Sequence, residues 1–157
     1  RFDVPRKGKF SVEKAKALGL PVIYWSVLQK GDTVEYEGKT YTGDMVMGEA
    51  RKGLSVSFCT DTRPVDSLVE FIKGSDLFVC EGMYGENEKQ MKAVEYKHMS
   101  FAEAAKLAQL GGVTELWLTH LSPSMSEPEL FIDNAKNIFE NTKSGFDRMS
   151  ERINFTE

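Results

Sequence analysis

Four side chains in this sequence are suited to holding a metal or moving a proton: Asp61, Glu81, His98 and His120. Three of them close an apolar run. Ser55-Val56-Ser57-Phe58-Cys59 leads through Thr60 to Asp61, Leu77-Phe78-Val79-Cys80 leads to Glu81, and Leu116-Trp117-Leu118-Thr119 leads to His120. His98 lies between the second and third runs, and it and His120 are the only histidines in the chain. The two oxygens of Asp61 accept independently, so it can bridge two cations; placed between a strand and a helix start, it can equally cap the helix. His120 offers an imidazole of the kind zinc and manganese sites use, or it is a structural residue satisfied by its neighbours. Glu81 follows four apolar residues, a partly desolvated setting that suits proton transfer; a buried hydrogen bond to a loop amide is the alternative. His98 precedes a helix start, where it can act as a general acid or simply sit at the surface.

The elements around these residues alternate between strand and helix. The runs 55–59, 77–80 and 115–119 predict buried strands. Between the first two, Pro64 opens a helix whose apolar stripe is Val65, Leu68, Val69 and Ile72, with Gly74 as its stop. Ser100 and Glu103 predict a capping box, followed by a helix with Phe101, Ala104, Ala105 and Ala108 on one face and Gly111-Gly112 at its end. Ser126 and Glu129 predict a second capping box, with Phe131, Ala135, Ile138 and Phe139 as the buried stripe behind it. Residues 82–97 read as a loop with at most a turn of helix. The N-terminal third is weaker in pattern: a basic loop over 1–10, a short helix 12–18 behind Ser11, and a hairpin around Glu37-Gly38. The tail from 145 reads as a final edge strand or helix. This alternation predicts an α/β architecture. If the three strands are parallel, their polar ends meet along the carboxyl edge, where such sheets bind ligands. Yet Asp61 and His120 are two ligands, and a catalytic zinc needs three from the protein. On spacing alone, half of the site lies elsewhere.

Bulk composition narrows the classes. With 157 residues, 41% hydrophobic and 28% charged, the chain can bury a core and is not disordered. A net charge of -4 argues against a general nucleic-acid coat while leaving local phosphate recognition open. No apolar stretch reaches the roughly 20 residues of a membrane helix, so no membrane partner is expected. Cys59 and Cys80 have no CxxC spacing and read as reduced, buried cysteines of an intracellular, cytoplasmic protein. Arg1 in place of a methionine, with the short ligand count, predicts that 1–157 is a single partial domain of something longer.

The segments Phe58-Cys59-Thr60-Asp61-Thr62-Arg63-Pro64, Cys80-Glu81-Gly82-Met83, His98-Met99-Ser100 and Leu118-Thr119-His120-Leu121-Ser122-Pro123 together resemble the C-terminal half of ribonuclease Z, in order and spacing, from about Gly19 onward. This family comprises tRNA 3′-processing endonucleases of the metallo-β-lactamase superfamily. The resemblance implies the C-terminal half of an αββα sandwich, with two zinc ions in the intact enzyme. It implies that Asp61 bridges the zinc ions and that His120 is the last histidine ligand. Glu81 and His98 would be the carboxylate–histidine pair that passes a proton to the leaving 3′-oxygen. Pro5, Lys7 and Lys9 are similar to a basic loop near the tRNA acceptor end. Cys80 departs from the family, which often has histidine there, and Val22-Ile23-Tyr24 replaces a Gly-Pro-Leu segment. The His-x-His-x-Asp-His motif, a further histidine and the tRNA-clamping arm belong to the family's other half. The expectation is therefore a zinc-dependent endoribonuclease for precursor tRNA, inactive as this fragment. The fragment would pair with the N-terminal half or with a second copy. Another hydrolase of the superfamily is the near alternative. A non-catalytic α/β binding or receiver-like domain is the distant one, and it lacks the paired acidic residues that receivers place after the first strand.

Overall fold

A computed structural model describes residues 1–155. The described residues form two compact units, a smaller one over residues 5–53 and a larger one over residues 1–4 and 54–155.

The larger unit is built on one sheet with strand order β1-β4-β5-β6-β7. These strands are β1 (Phe2–Arg6), β4 (Arg51–Cys59), β5 (Leu77–Glu81), β6 (Leu116–Thr119) and β7 (Thr142–Ser144). From β4 to β7 every neighbouring pair is parallel, and the register places Cys59, Cys80, Leu118 and Ser144 in one row across the sheet. Asp61, Glu81 and His120 each lie within two residues of that row, so all three emerge at the same carboxyl edge. The α/β class expected from the alternation is what forms.

Two helices cover one face of the sheet: α3 (Asp66–Ile72) and α5 (Phe101–Gly111). The core between them contains Phe78, Cys80, Leu116 and Leu118 from the strands, with Ile72, Phe101, Ala104, Ala105 and Ala108 from the helices. Small residues along α5 let it lie close to the sheet, and each large side chain such as Phe78, fully buried, contributes about 1.5–3 kcal/mol by leaving water. The capping box expected at Ser100 and Glu103 is present in both directions, and Gly112 ends the helix in a left-handed conformation. Along β4 the alternation turns Ser55, Ser57 and Cys59 inward and leaves Phe58 54% exposed on the opposite face. Ser57 and Ser75 satisfy each other across a 2.8 Å hydrogen bond, which is why these hydroxyls tolerate burial.

Several local expectations are corrected. The first residues, read as a basic loop, supply strand β1. Residues 82–97 hold more helix than a turn, a 3-10 turn at Asn87–Lys89 and α4 (Gln90–Glu95). The second capping box does not form: Glu127, with no side-chain cap bond, precedes a 3-10 turn at Pro128–Phe131, and only the short α6 (Asp133–Lys136) follows. Tertiary bonds hold that segment instead, because the Asn134 side chain donates to the Gly85 carbonyl at 2.8 Å and accepts from Asn87 at 3.1 Å. The last strand is Thr142–Ser144, and no helix or strand follows it among the described residues.

The smaller unit contains α1 (Val12–Ala17), a 3-10 turn at Val22–Tyr24, α2 (Trp25–Lys30) and the hairpin β2 (Val34–Tyr36) with β3 (Lys39–Tyr41). Ser11 caps α1 by accepting from Lys14, as its position suggests. The hairpin turns through Glu37 and Gly38, both at positive φ, the pattern whose twist matches paired strands. Its core is Ala15, Leu20, Leu28, Val34, Tyr41 and Val46. Among the described residues, no helix of either unit is long and apolar enough to cross a membrane.

Candidate functional site

Asp61 lies just beyond β4 and His120 just beyond β6, and both have left-handed backbones, with φ of 51° and 54°. Asp and His enter that region more readily than most residues, but each such placement still costs of order 1–3 kcal/mol. The conformation turns each side chain back over the sheet edge, and the two meet: His120 Nε2 is 2.8 Å from Asp61 Oδ1. Asp61 does not cap α3, whose N-cap is Val65 and has no side-chain cap bond. The capping alternative for Asp61 is thereby removed.

His98 reaches the same place from a different element. It follows α4 and immediately precedes the N-cap of α5. Its ring centroid is 5.3 Å from that of His120. Asp61, His98 and His120 each offer one ligand atom, all within 4.8 Å of one another. A carboxylate oxygen with two imidazole nitrogens is a donor set that suits zinc, and three protein ligands leave a coordination position open. The residues present therefore fit a divalent metal. The ligand count reached from spacing was two; the third donor, His98, was placed there only as a proton carrier.

Glu81 stands behind this cluster and is completely buried. One oxygen accepts from the Thr62 backbone N–H. The other accepts from the Met99 N–H at 2.9 Å and faces His98 Nδ1 at 3.1 Å. A carboxylate can be buried at tolerable cost only when such donors surround it. Both sequence-level alternatives for Glu81 thus coexist, since it binds loop amides and also orients an imidazole. With Nδ1 held by Glu81, the other ring nitrogen of His98 is the one left for chemistry.

A further layer was not visible from spacing. Arg63 Nη1 donates to the His98 carbonyl at 2.5 Å and to Glu103 at 2.8 Å, while Nη2 also pairs with Glu103. Burial pushes the Glu103 carboxyl up, but the Arg63 guanidinium, the Ser100 N–H and Gln90 outweigh it and hold the group below its ordinary value. Glu103 was legible as a capping-box member; nothing in the sequence marked Arg63 as its partner. Behind the edge lie the two free, buried cysteines. The Cys80 S–H donates toward the Cys59 sulfur; that bond and then burial push the Cys80 thiol up, whereas the same bond lowers Cys59. In the smaller unit, Lys7, Lys9 and Arg51 line a cleft of about 580 Å³ with Phe10, Gln29 and Met47.

The chain as a whole has relatives among known proteins. The chain is 59% identical over 152 residues to the ribonuclease Z of Clostridium acetobutylicum, covering 97% of this chain and 49% of that protein. It is 56% identical over 156 residues to that of Clostridium kluyveri, with 99% and 52% covered. It is homologous to ribonuclease Z. The homology runs along nearly the whole chain and extends to the Agathobacter rectalis protein, at 51% identity over 155 residues, 99% of this chain and 51% of that protein. The chain spans about half the length of these curated ribonuclease Z relatives. No family model matches it. Similar solved structures include a metallo-β-lactamase fold protein from Bacillus subtilis (27% identity, 57% of this chain and 35% of that one, TM-score 0.49). Another is the short form of human tRNase Z (23% identity, 61% and 32% covered, TM-score 0.49).

Proposed function

We propose that this chain is the C-terminal half of a ribonuclease Z, a zinc-dependent endoribonuclease that cuts precursor tRNA at the 3′ side of the acceptor stem. Both compact units would belong to that half of an αββα sandwich. The observation that carries the reading is the convergence of Asp61, His98 and His120 at one sheet edge, with Glu81 bonded to the back of His98.

In this reading Asp61 and His120 would be the residues of this chain that hold zinc, with Asp61 shared between two ions. The bound metal supplies an activated water and neutralises charge on the scissile phosphate. The chain's own groups do the rest. Glu81 fixes the His98 ring through Nδ1, so that the other ring nitrogen carries a proton toward the departing 3′-oxygen. Lys7, Lys9 and Arg51 offer cations to phosphates of the acceptor end. The ligands for a second ion and the base for the attacking water come from the N-terminal half. The chain pairs with that half, or with a copy of itself, in the cytoplasm, and is inactive alone.

The mutual reach of the three donors also favours a second reading, in which His98 is itself a ligand for a single ion. Metal stoichiometry before and after His98→Asn separates the two, because only ligation by His98 makes binding depend on its ring.

The main reading is tested by supplying zinc and precursor tRNA to the purified chain, alone and co-expressed with the complementary half of a ribonuclease Z relative. The expected result is no cleavage alone and cleavage at the acceptor 3′ side when paired. Cleavage by the chain alone overturns the fragment assignment. A paired protein that hydrolyses a bis-aryl phosphate but leaves precursor tRNA intact overturns the substrate and points to another hydrolase of the superfamily.

A further inference from the structure

Two clasps, one inside the other, join the loop that carries Asp61 to the segment that carries His98. The inner clasp is Glu81, taking Thr62 N–H on one oxygen and Met99 N–H with His98 Nδ1 on the other. The outer clasp is Arg63, from the same loop as Asp61, bonded to the His98 carbonyl and to Glu103. The peptide between His98 and Met99 is therefore held at both polar atoms: Arg63 takes its C=O and Glu81 takes its N–H. Glu103 is itself fixed, because its Oε2 accepts from Ser100 N–H at 3.0 Å in the capping box of α5. The guanidinium is thus anchored on a helix end before it reaches His98. The residue before His98, Lys97, has a φ of 66°, a conformation that needs support from its surroundings.

We infer that Arg63, braced by Glu103, is a positioning residue that sets the plane of the His98–Met99 peptide and thereby aims the His98 ring at Asp61 and His120. The inference rests on the role given to His98 above. Without Arg63, the His98 carbonyl loses its charged donor, the peptide can rotate, and the ring leaves Glu81. A planar fork with two donors to one carboxylate and a third contact to a carbonyl is a geometry that lysine cannot copy. The surrounding fold does not need this fork for its core, since both partners keep partly exposed side chains, 26% and 20%.

The chain itself permits a clean test, because it has only two histidines. Nitrogen-15 spectra of the imidazoles should show His98 in a single tautomer, protonated at Nδ1 and slow to exchange with solvent. Arg63→Ala is expected to abolish that slow signal while the His120 resonances and the helix content persist. Glu103→Gln serves as the second variant and covers a failure of Arg63→Ala to fold. Glutamine still completes a capping box but cannot receive the guanidinium as a carboxylate does, so the His98 signal should again be lost with α5 intact. A folded variant of either kind with an unchanged His98 pattern overturns the inference, as does loss that strikes His98 and His120 equally. Neither metal nor RNA enters this measurement, so it stands apart from the cleavage test. If paired protein fails to cut RNA while the spectra behave as described, the functional reading has failed and the positioning geometry has not.

Discussion

Glu81→Gln is the substitution that probes this site most directly. The change is nearly isosteric, so it leaves no cavity and isolates hydrogen-bond chemistry. Glu81 has three N–H neighbours: Thr62 N on one oxygen, Met99 N and His98 Nδ1 on the other. Glutamine has one oxygen and one NH2 group. With its oxygen facing Met99 and His98, it keeps two bonds and sets NH2 against the Thr62 N–H, donor to donor. The opposite orientation keeps Thr62, loses Met99 and keeps His98 only if its ring switches tautomer, so either way at least one buried bond is lost. The net loss is one buried bond plus one unsatisfied donor, about 1–3 kcal/mol. For a chain of this length each kcal/mol moves the Tm by about 2–4 °C, so a fall of roughly 2–12 °C is expected. Thermal unfolding followed by circular dichroism measures it. Glu81→Ala strips all three partners and should fall further. A Glu81→Gln protein melting within a degree of the parent would refute the claim that this carboxylate ties the two loops together.

Other outcomes follow from the charged and sulfur groups. Glu103 is held below its ordinary value in the folded chain, so it contributes stability above its unfolded value of about 4.3, lost as pH falls through the folded one. Acid unfolding of Glu103→Gln should therefore show a shallower slope below about pH 4.3 than the parent; parallel curves would refute this. The hydrogen bond between the cysteines lowers Cys59 and raises Cys80, so a thiol reagent at mildly alkaline pH should label Cys59 first. Mass spectrometry of the labelled peptides checks the order, and equal labelling would contradict it.

The parts of this chain that could be read from sequence are those set by local pattern. Four apolar positions before a polar one marked β5 and Glu81, and the Ser100–Glu103 spacing marked the start of α5 because both halves of a capping box lie within one turn. The same logic failed at Ser126–Glu129, where Glu127, with no side-chain cap bond, precedes a 3-10 turn instead. Strand β1 was missed since its partner β4 lies far along the chain and its residues carry charge and proline rather than an apolar run. At the site, the residue types and the shared sheet edge were legible. The inclusion of His98 among the donors was not, because its place depends on Glu81 and Arg63 holding one peptide from two sides.

The order of the sheet has a kinetic consequence. Asp61, His98 and His120 follow separate strands or helices, and their convergence depends on β4, β5 and β6 lying in parallel register. Parallel pairings are non-local and form slowly. A cation at these donors would arrive after the slow step and could not guide it. Its grip would act on escape from the native state alone, slowing unfolding and leaving the folding rate where the bare chain sets it. A metal held there would be a latch on a finished sheet, with no part in laying it down.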